Sequence, residues 1–183
     1  MIALLRPAFA MVLALTLLLG LAVPLGFTGL AGMLFPAQAG GSLVMRDGHV
    51  VGSALLGQAF TSARYFQPRP SAIATPYDAA ASAASQLGPT SAALLEAVQQ
   101  RVAALGGGPV PADAATASAS GLDPHISPEN AARQLHRVAE ARGLPEARLA
   151  ELVAAHTEGR EFGLLGEPRV NVLRLNLALD ALR

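Results

Sequence analysis

The groups through which this chain can do chemistry are few: thirteen Asp plus Glu, thirteen arginines and four histidines. Lysine and cysteine are both absent. Schiff-base catalysis and a P-loop lysine are thereby excluded, as are thiol nucleophiles, disulfides and thiolate metal sites. His49, His125, His136 and His156 form no HxxxH or HExxH spacing, and no GxSxG elbow is present. Asp123 and His125, two apart, suit either a metal pair or a capped turn, and the turn is favoured. His136 has Glu140 one helical turn away, a surface pair. His156 falls on an apolar stripe and reads as a hydrogen-bonded core histidine. Glu158, Glu161 and Glu167 cluster with Arg160 and Arg169, which favours a solvated ion-pair loop over paired acid–base carboxylates. The GGGP run at 106–109 lacks a preceding strand and a directly following helix, so it reads as a spacer. No catalytic, metal or potassium site emerges from the residues.

The elements that position these groups begin with a nearly uncharged quarter. Charged residues are only 14% of the chain, against about 25% in soluble proteins. Arg6 is the only charged side chain before Arg46. Residues 8–35 form an apolar run, and about 20 residues cross a bilayer, so a transmembrane helix is expected over 8–30. Pro24 can kink it or mark its end. Gly20, Gly26, Gly29 and Gly32 offer a small-residue face. Ala37-Gln38-Ala39 resembles a leader cleavage site, but the apolar run is nearly twice the usual leader length. Arg6 favours a cytoplasmic N-terminus, which puts residues 40–183 outside. Balanced charge argues against nucleic acid as a partner.

The remainder reads as one small α+β domain, residues 40–183, after an anchor spanning 1–39. Residues 43–56 predict a hairpin turning at Asp47-Gly48. Residues 57–70 form an aromatic connector in which Phe60, Tyr65 and Phe66 serve the core and Pro68 and Pro70 prevent regular structure. A helix is expected over 91–105, capped by Ser91 and stopped by Gly106. Another opens at Ser127-Pro128-Glu129 and ends at Gly143, with a third from Pro145, as a helical hairpin. On the first of that pair, Ala131, Ala132, Leu135, Val138 and Ala139 are expected inward. Gln134, Arg137 and Ala141 share the opposite, polar face, which suits an exposed Gln134. Residues 157–169 read as a polar loop. Residues 170–182 read either as a strand leading to a helix from Asn176 or as one helix.

The second half, TASASGLDPHISPENAARQLHRVAEARG at 116–143 and AHTEGREFGLLGEPRVNVLRLNLALDAL at 155–182, closely resembles the C subunit family of the bacterial Kdp complex, an ATP-driven potassium pump. RPAF at 6–9, GSALLGQAF at 52–60 and YFQPRPSA at 65–72 are similar to earlier blocks of that family, so the resemblance covers nearly the whole chain in order. One block departs. Where the family commonly has SGGSNLGP, this chain has Ser82-Ala83-Ala84-Ser85-Gln86-Leu87-Gly88-Pro89, and two alanines resist positive φ where glycine accepts it.

The resemblance implies a single-pass accessory subunit of the bacterial inner membrane that is not itself an enzyme. Its implied partners are a potassium-channel-like subunit and a P-type ATPase subunit. It implies a catalytic chaperone that raises the ATPase subunit's affinity for ATP, with ATP bound jointly if at all. A glutamine of the family's QxxRVAxAR block is linked to nucleotide binding; here it is Gln134, with Arg137 in the same block. With Arg6 cytoplasmic, the domain and ATP lie on opposite sides of the membrane, and the subunit would act by assembling the complex from outside. The alternatives are a cytoplasmic, directly nucleotide-binding chaperone and a purely structural cap on the channel-like subunit. Mass spectrometry of the mature chain is expected to find residues 1–39 retained; a chain starting at Gly40 would make the segment a cleaved leader.

Overall fold

The computed structural model describes residues 2–182. It divides into two compact units, Met1–Leu43 and Val44–Arg183.

The first unit is a continuous helix over Ala3–Leu34, long and apolar enough to cross a membrane. At 1.5 Å per residue it runs about 48 Å, beyond the roughly 30 Å hydrocarbon core, and it exceeds the expected span at both ends. It comprises α1 (Ile2–Leu17), a π-helical turn at Leu18–Ala22 and α2 (Val23–Leu34). The π turn sits just ahead of Pro24. Proline has no N–H to give to the turn before it, and the widened ladder, in which the Val23 N–H bonds Leu18 O, lets the helix continue past it. The Thr28 hydroxyl donates to Pro24 O at 2.8 Å. A Cβ on Gly26, Gly29 or Gly32 would meet no atom within 4 Å, so nothing within this unit requires glycine there. A short helix, α3 (Pro36–Ala39), follows.

In the second unit β1 (Leu43–Arg46) and β2 (His49–Ser53) pair across the expected turn, where Asp47 and Gly48 both take positive φ. Residues 54–91 contain no helix or strand. Helix α4 (Ala92–Ala104) starts where the Ser91 hydroxyl accepts from Leu94 N, and a single turn, α5 (Ala112–Ala115), lies in the following loop. Three short antiparallel strands then form a sheet of order β3-β5-β4, from β3 (His125–Ile126), β4 (Thr157–Glu158) and β5 (Arg169–Asn171). Val170 sits opposite both Ile126 and Thr157. Helices α6 (Pro128–Arg142), α7 (Glu146–Ala155) and α8 (Val172–Ala181) complete the unit. The core joins Ile126 and Val170 of the sheet to Val138, Leu149, Leu175 and Leu179 of the helices, and to Phe66 of the connector.

Local signals place α6 as expected: Ser127 Oγ accepts from Asn130 N, and Gly143 closes the helix in the left-handed region. Four expectations are corrected. Residues 157–169 carry strand β4. Helix α8 starts at Val172, not Asn176, because the Asn171 side chain caps it by accepting from Arg174 N. His136 pairs with Glu146 Oε1 at 2.6 Å, since the α6–α7 turn brings that carboxylate closer than Glu140. The buried side of α6 runs through Asn130, Ala131, Gln134, Val138 and Ala139, leaving Ala132 exposed. The positive φ in the divergent block falls on Gln86, not on either alanine.

Asp180 of α8 gathers three elements. Its carboxylate accepts from Arg142 at 2.7 Å, from Arg46 at 3.0 Å and from the Tyr65 hydroxyl at 3.1 Å. Arg142 also lies 4.9 Å from the centre of the Tyr65 ring. Partial burial pushes the Asp180 pKa up, but the hydrogen bonds from Arg142, Arg46 and Tyr65 outweigh it and hold the group below the ordinary carboxylate value. A lowered folded pKa adds stability above the unfolded value, and that stability is lost as pH falls through the folded value. Acid titration of unfolding is expected to show destabilisation through and below the ordinary carboxylate range, with that limb flattened in Asp180→Asn.

A candidate site around the connector and helix α6

The connector backbone at 63–67 has no neighbouring strand, yet Phe66 is fully buried. Buried peptide groups must be paired, and here side chains of two helices pair them. Asn176 of α8 accepts from Phe66 N and donates to Phe66 O, each at 2.9 Å. Gln134 of α6 repeats the pattern on the next residue, accepting from Gln67 N at 2.8 Å and donating to Gln67 O at 3.1 Å. Arg137 donates to Ala63 O and Tyr65 O, and Arg142 donates to Arg64 O. Below Gln134 the chain of bonds continues to Asn130 and from there to Asp113, which also accepts from Ser127 N and Oγ.

Gln134 is therefore buried, with 6% of its surface exposed, which corrects its expected place on the exposed face. Its amide is also saturated. Oε1 accepts from Gln67 N and Arg137, and Nε2 donates to Gln67 O and Asn130 Oδ1; an amide side chain offers two donors and two lone pairs. Arg137 stays half-buried beside it. Burial, and then the Arg133 charge, push the Arg137 pKa down.

Beside these residues lies a cavity of about 510 Å3 bordered by Gln67, Arg101, Asn130, Arg133, Gln134 and Arg137 together with Pro68 and Pro70. Among the described residues that line it, none is acidic and none is aromatic. Arg101 donates to Ala115 O at 3.1 Å and Arg133 to Leu105 O at 2.5 Å, so carbonyls rather than carboxylates orient them. The arrangement can attract an anion. It lacks a ring on which a nucleotide base could stack, and Gln134 has no free valence with which to read one. The residues present do not fit a nucleotide site centred on Gln134.

The other candidate groups take structural roles. Asp123 Oδ1 accepts from His125 N while Oδ2 takes Arg69, a capped turn. Arg160 pairs with Glu167, and Arg169 with Glu158 and Glu161. The sequence reading missed Asn176 and Asn130. Asn176 carried a signal, because it interrupts an apolar helical stripe through Val172, Leu175 and Leu179.

Residues 5–181 match the family described as "KdpC: K+-transporting ATPase, c chain". Curated proteins similar to the chain include the potassium-transporting ATPase KdpC subunit of Sorangium cellulosum, 60% identical over all of both chains. The subunit of the same description from Methylobacterium nodulans is 57% identical over 97% of this chain and 96% of its own. That from Methylorubrum populi is 56% identical over the same shares.

Gln134→Ala strands the Gln67 peptide groups and one Arg137 bond. Denaturant unfolding is expected to show a loss of about 1–3 kcal/mol, and Asn176→Ala, which strands Phe66, a loss of similar size.

Proposed function

The chain belongs to the KdpC family and is an accessory subunit of a potassium-transporting ATPase; from that premise we propose that it is a non-catalytic, single-pass subunit of a bacterial inner membrane whose residues 40–183 lie outside the cytoplasm. In this reading the domain seats on the potassium-channel-like subunit and stabilises its assembly with the P-type ATPase subunit. Any rise in ATP affinity reaches the ATPase subunit as coupling through the membrane parts, not through contact with nucleotide. The observation that carries this reading is the saturated Gln134 amide, which spends every hydrogen bond on the domain's own backbone and helix. Arg6, alone among charged residues in the first 45, supports the cytoplasmic N-terminus.

A second reading keeps a direct role in nucleotide binding, with Arg137 as the contact and the domain in the cytoplasm. The arginine-lined cavity favours it, because three guanidinium groups without a lining acid suit phosphate. It requires the reverse membrane orientation.

The absence of cysteine makes one introduced thiol unique, and Ser85 is exposed. In intact spheroplasts, Ser85→Cys is expected to react with a membrane-impermeant maleimide; protection until lysis would establish the second reading. In the assembled complex, Gln134→Ala is expected to leave the ATP concentration for half-maximal hydrolysis unchanged per assembled unit, while a specific rise would mark nucleotide contact.

A further inference from the structure

Arginines without an acid partner are concentrated in one place. Among the described residues, five have no carboxylate oxygen within 4.0 Å: Arg6, Arg64, Arg101, Arg133 and Arg137. The last three border one cavity, that of about 510 Å3 beside Gln134. Their own hydrogen bonds leave most of the guanidinium capacity uncommitted. A guanidinium offers five N–H groups. Arg101 gives one, to Ala115 O, and Arg133 gives one, to Leu105 O. Arg137 gives three, to Ala63 O, Tyr65 O and Gln134 Oε1. Four, four and two donors remain, and none of them is sealed from solvent.

The carbonyl bonds fix where these heads sit without cancelling their charge. Burial pushes the Arg137 pKa down, and the nearby Arg133 charge pushes it further the same way. Like charges are therefore held together at a cost that a bound anion removes. The cavity also spans a lightly attached element. Arg101 belongs to α4, whereas Arg133 and Arg137 belong to α6, and no residue of α4 is buried.

We propose that this cavity is a phosphate site, in which Arg101 from one side and Arg133 and Arg137 from the other hold a dianionic phosphate group, free or as a small monoester, and so pin α4 to α6. Three cations with no lining acid call for more than the single charge of a carboxylate or of a phospholipid diester. A phosphate monoester carries roughly −1.5 to −2 charge and three strong acceptor oxygens, which match guanidinium forks two bonds at a time. The volume falls within the roughly 300–1,000 Å3 of small-ligand sites. Pro68, Pro70, Ala104, Leu105 and Ala114 make the rest of the wall aliphatic, so it accepts a small organic body but stacks no base. Such a site needs only the folded domain and is independent of the side of the membrane on which that domain lies.

The full chain in a neutral detergent tests this. Inorganic phosphate and glycerol phosphate are each expected to raise its melting temperature saturably over chloride at equal ionic strength. Amide exchange is expected to slow in residues 92–104 more than in 146–155. Arg101→Gln and Arg133→Gln are each expected to weaken phosphate at least about tenfold. Arg133→Lys, which keeps the charge and loses the fork, is expected to fall between. Each variant's affinity is read from its own phosphate titration, so a lower starting melting temperature does not obscure it. Adenosine monophosphate is expected to bind within about threefold of glycerol phosphate. A preference of about tenfold or more for the adenosine ester would make this a nucleotide site and overturn the proposal. So would a gain confined to nanodiscs that contain phosphatidylglycerol, which would assign the site to a lipid headgroup. A phosphate gain that survives both glutamine variants is a general salt effect and overturns it too.

Discussion

A chain segment that enters a protein interior without a strand beside it must find partners for its peptide groups elsewhere. Residues 63–67 do so, because Phe66 plugs the core between α6 and α8. Two carboxamides, Asn176 and Gln134, each give and take one hydrogen bond from consecutive residues, as a neighbouring strand would. Arg137 and Arg142 satisfy the carbonyls just before them. The packing of α6 against the rest, the placement of Tyr65 on Asp180 and the border of the adjacent cavity all depend on this clamp. It also accounts for a glutamine that a reading of helix faces would place in solvent.

Two sets of arginines are held differently, with different consequences. Arg46, Arg69, Arg142, Arg160 and Arg169 face carboxylates: Arg46 of β1 and Arg142 of α6 both meet Asp180 of α8, Arg69 joins the connector to Asp123, and Arg160 and Arg169 brace the β4–β5 connection. Arg101, Arg133 and Arg137 are held by backbone carbonyls, and Arg137 adds the Gln134 amide. A guanidinium held by neutral acceptors keeps its full charge uncompensated, so the cavity is a positive basin in a nearly neutral protein. That charge can attract an anion, and it is separate from the saturated amide beside it.

Division into an apolar helix and a folded domain fits an accessory subunit of a potassium-transporting ATPase. The helix exposes its apolar side chains all round, as a bilayer or other membrane helices require. In the domain, the buried carboxamides Asn130, Gln134, Asn171 and Asn176 all bond to other groups of the domain itself. Its surface carries the arginine-lined cavity and exposed apolar side chains, among them Val50, Leu95 and Phe162.

What the sequence by itself determined was local. The apolar N-terminal helix follows from a charge-free run, the β1–β2 turn from Asp47-Gly48, the start of α4 from Ser91, and both ends of α6 from Ser127-Pro128 and Gly143. In the turn and the caps, the residue that sets the backbone lies within four positions of the group it satisfies. Resemblance in ordered blocks supplied the family, although not the job of any side chain. Only the tertiary structure decided the rest. Gln134 is buried because its partner lies 67 residues away, and Asn176 because its partner lies 110 away. His136 chose Glu146 across a helix turn, and the strand-to-helix switch came at Asn171, whose amide donates to Ala54 O while its oxygen caps α8. Helical periodicity assigns a polar residue to solvent unless a distant peptide group satisfies it, and that distance is what periodicity does not contain.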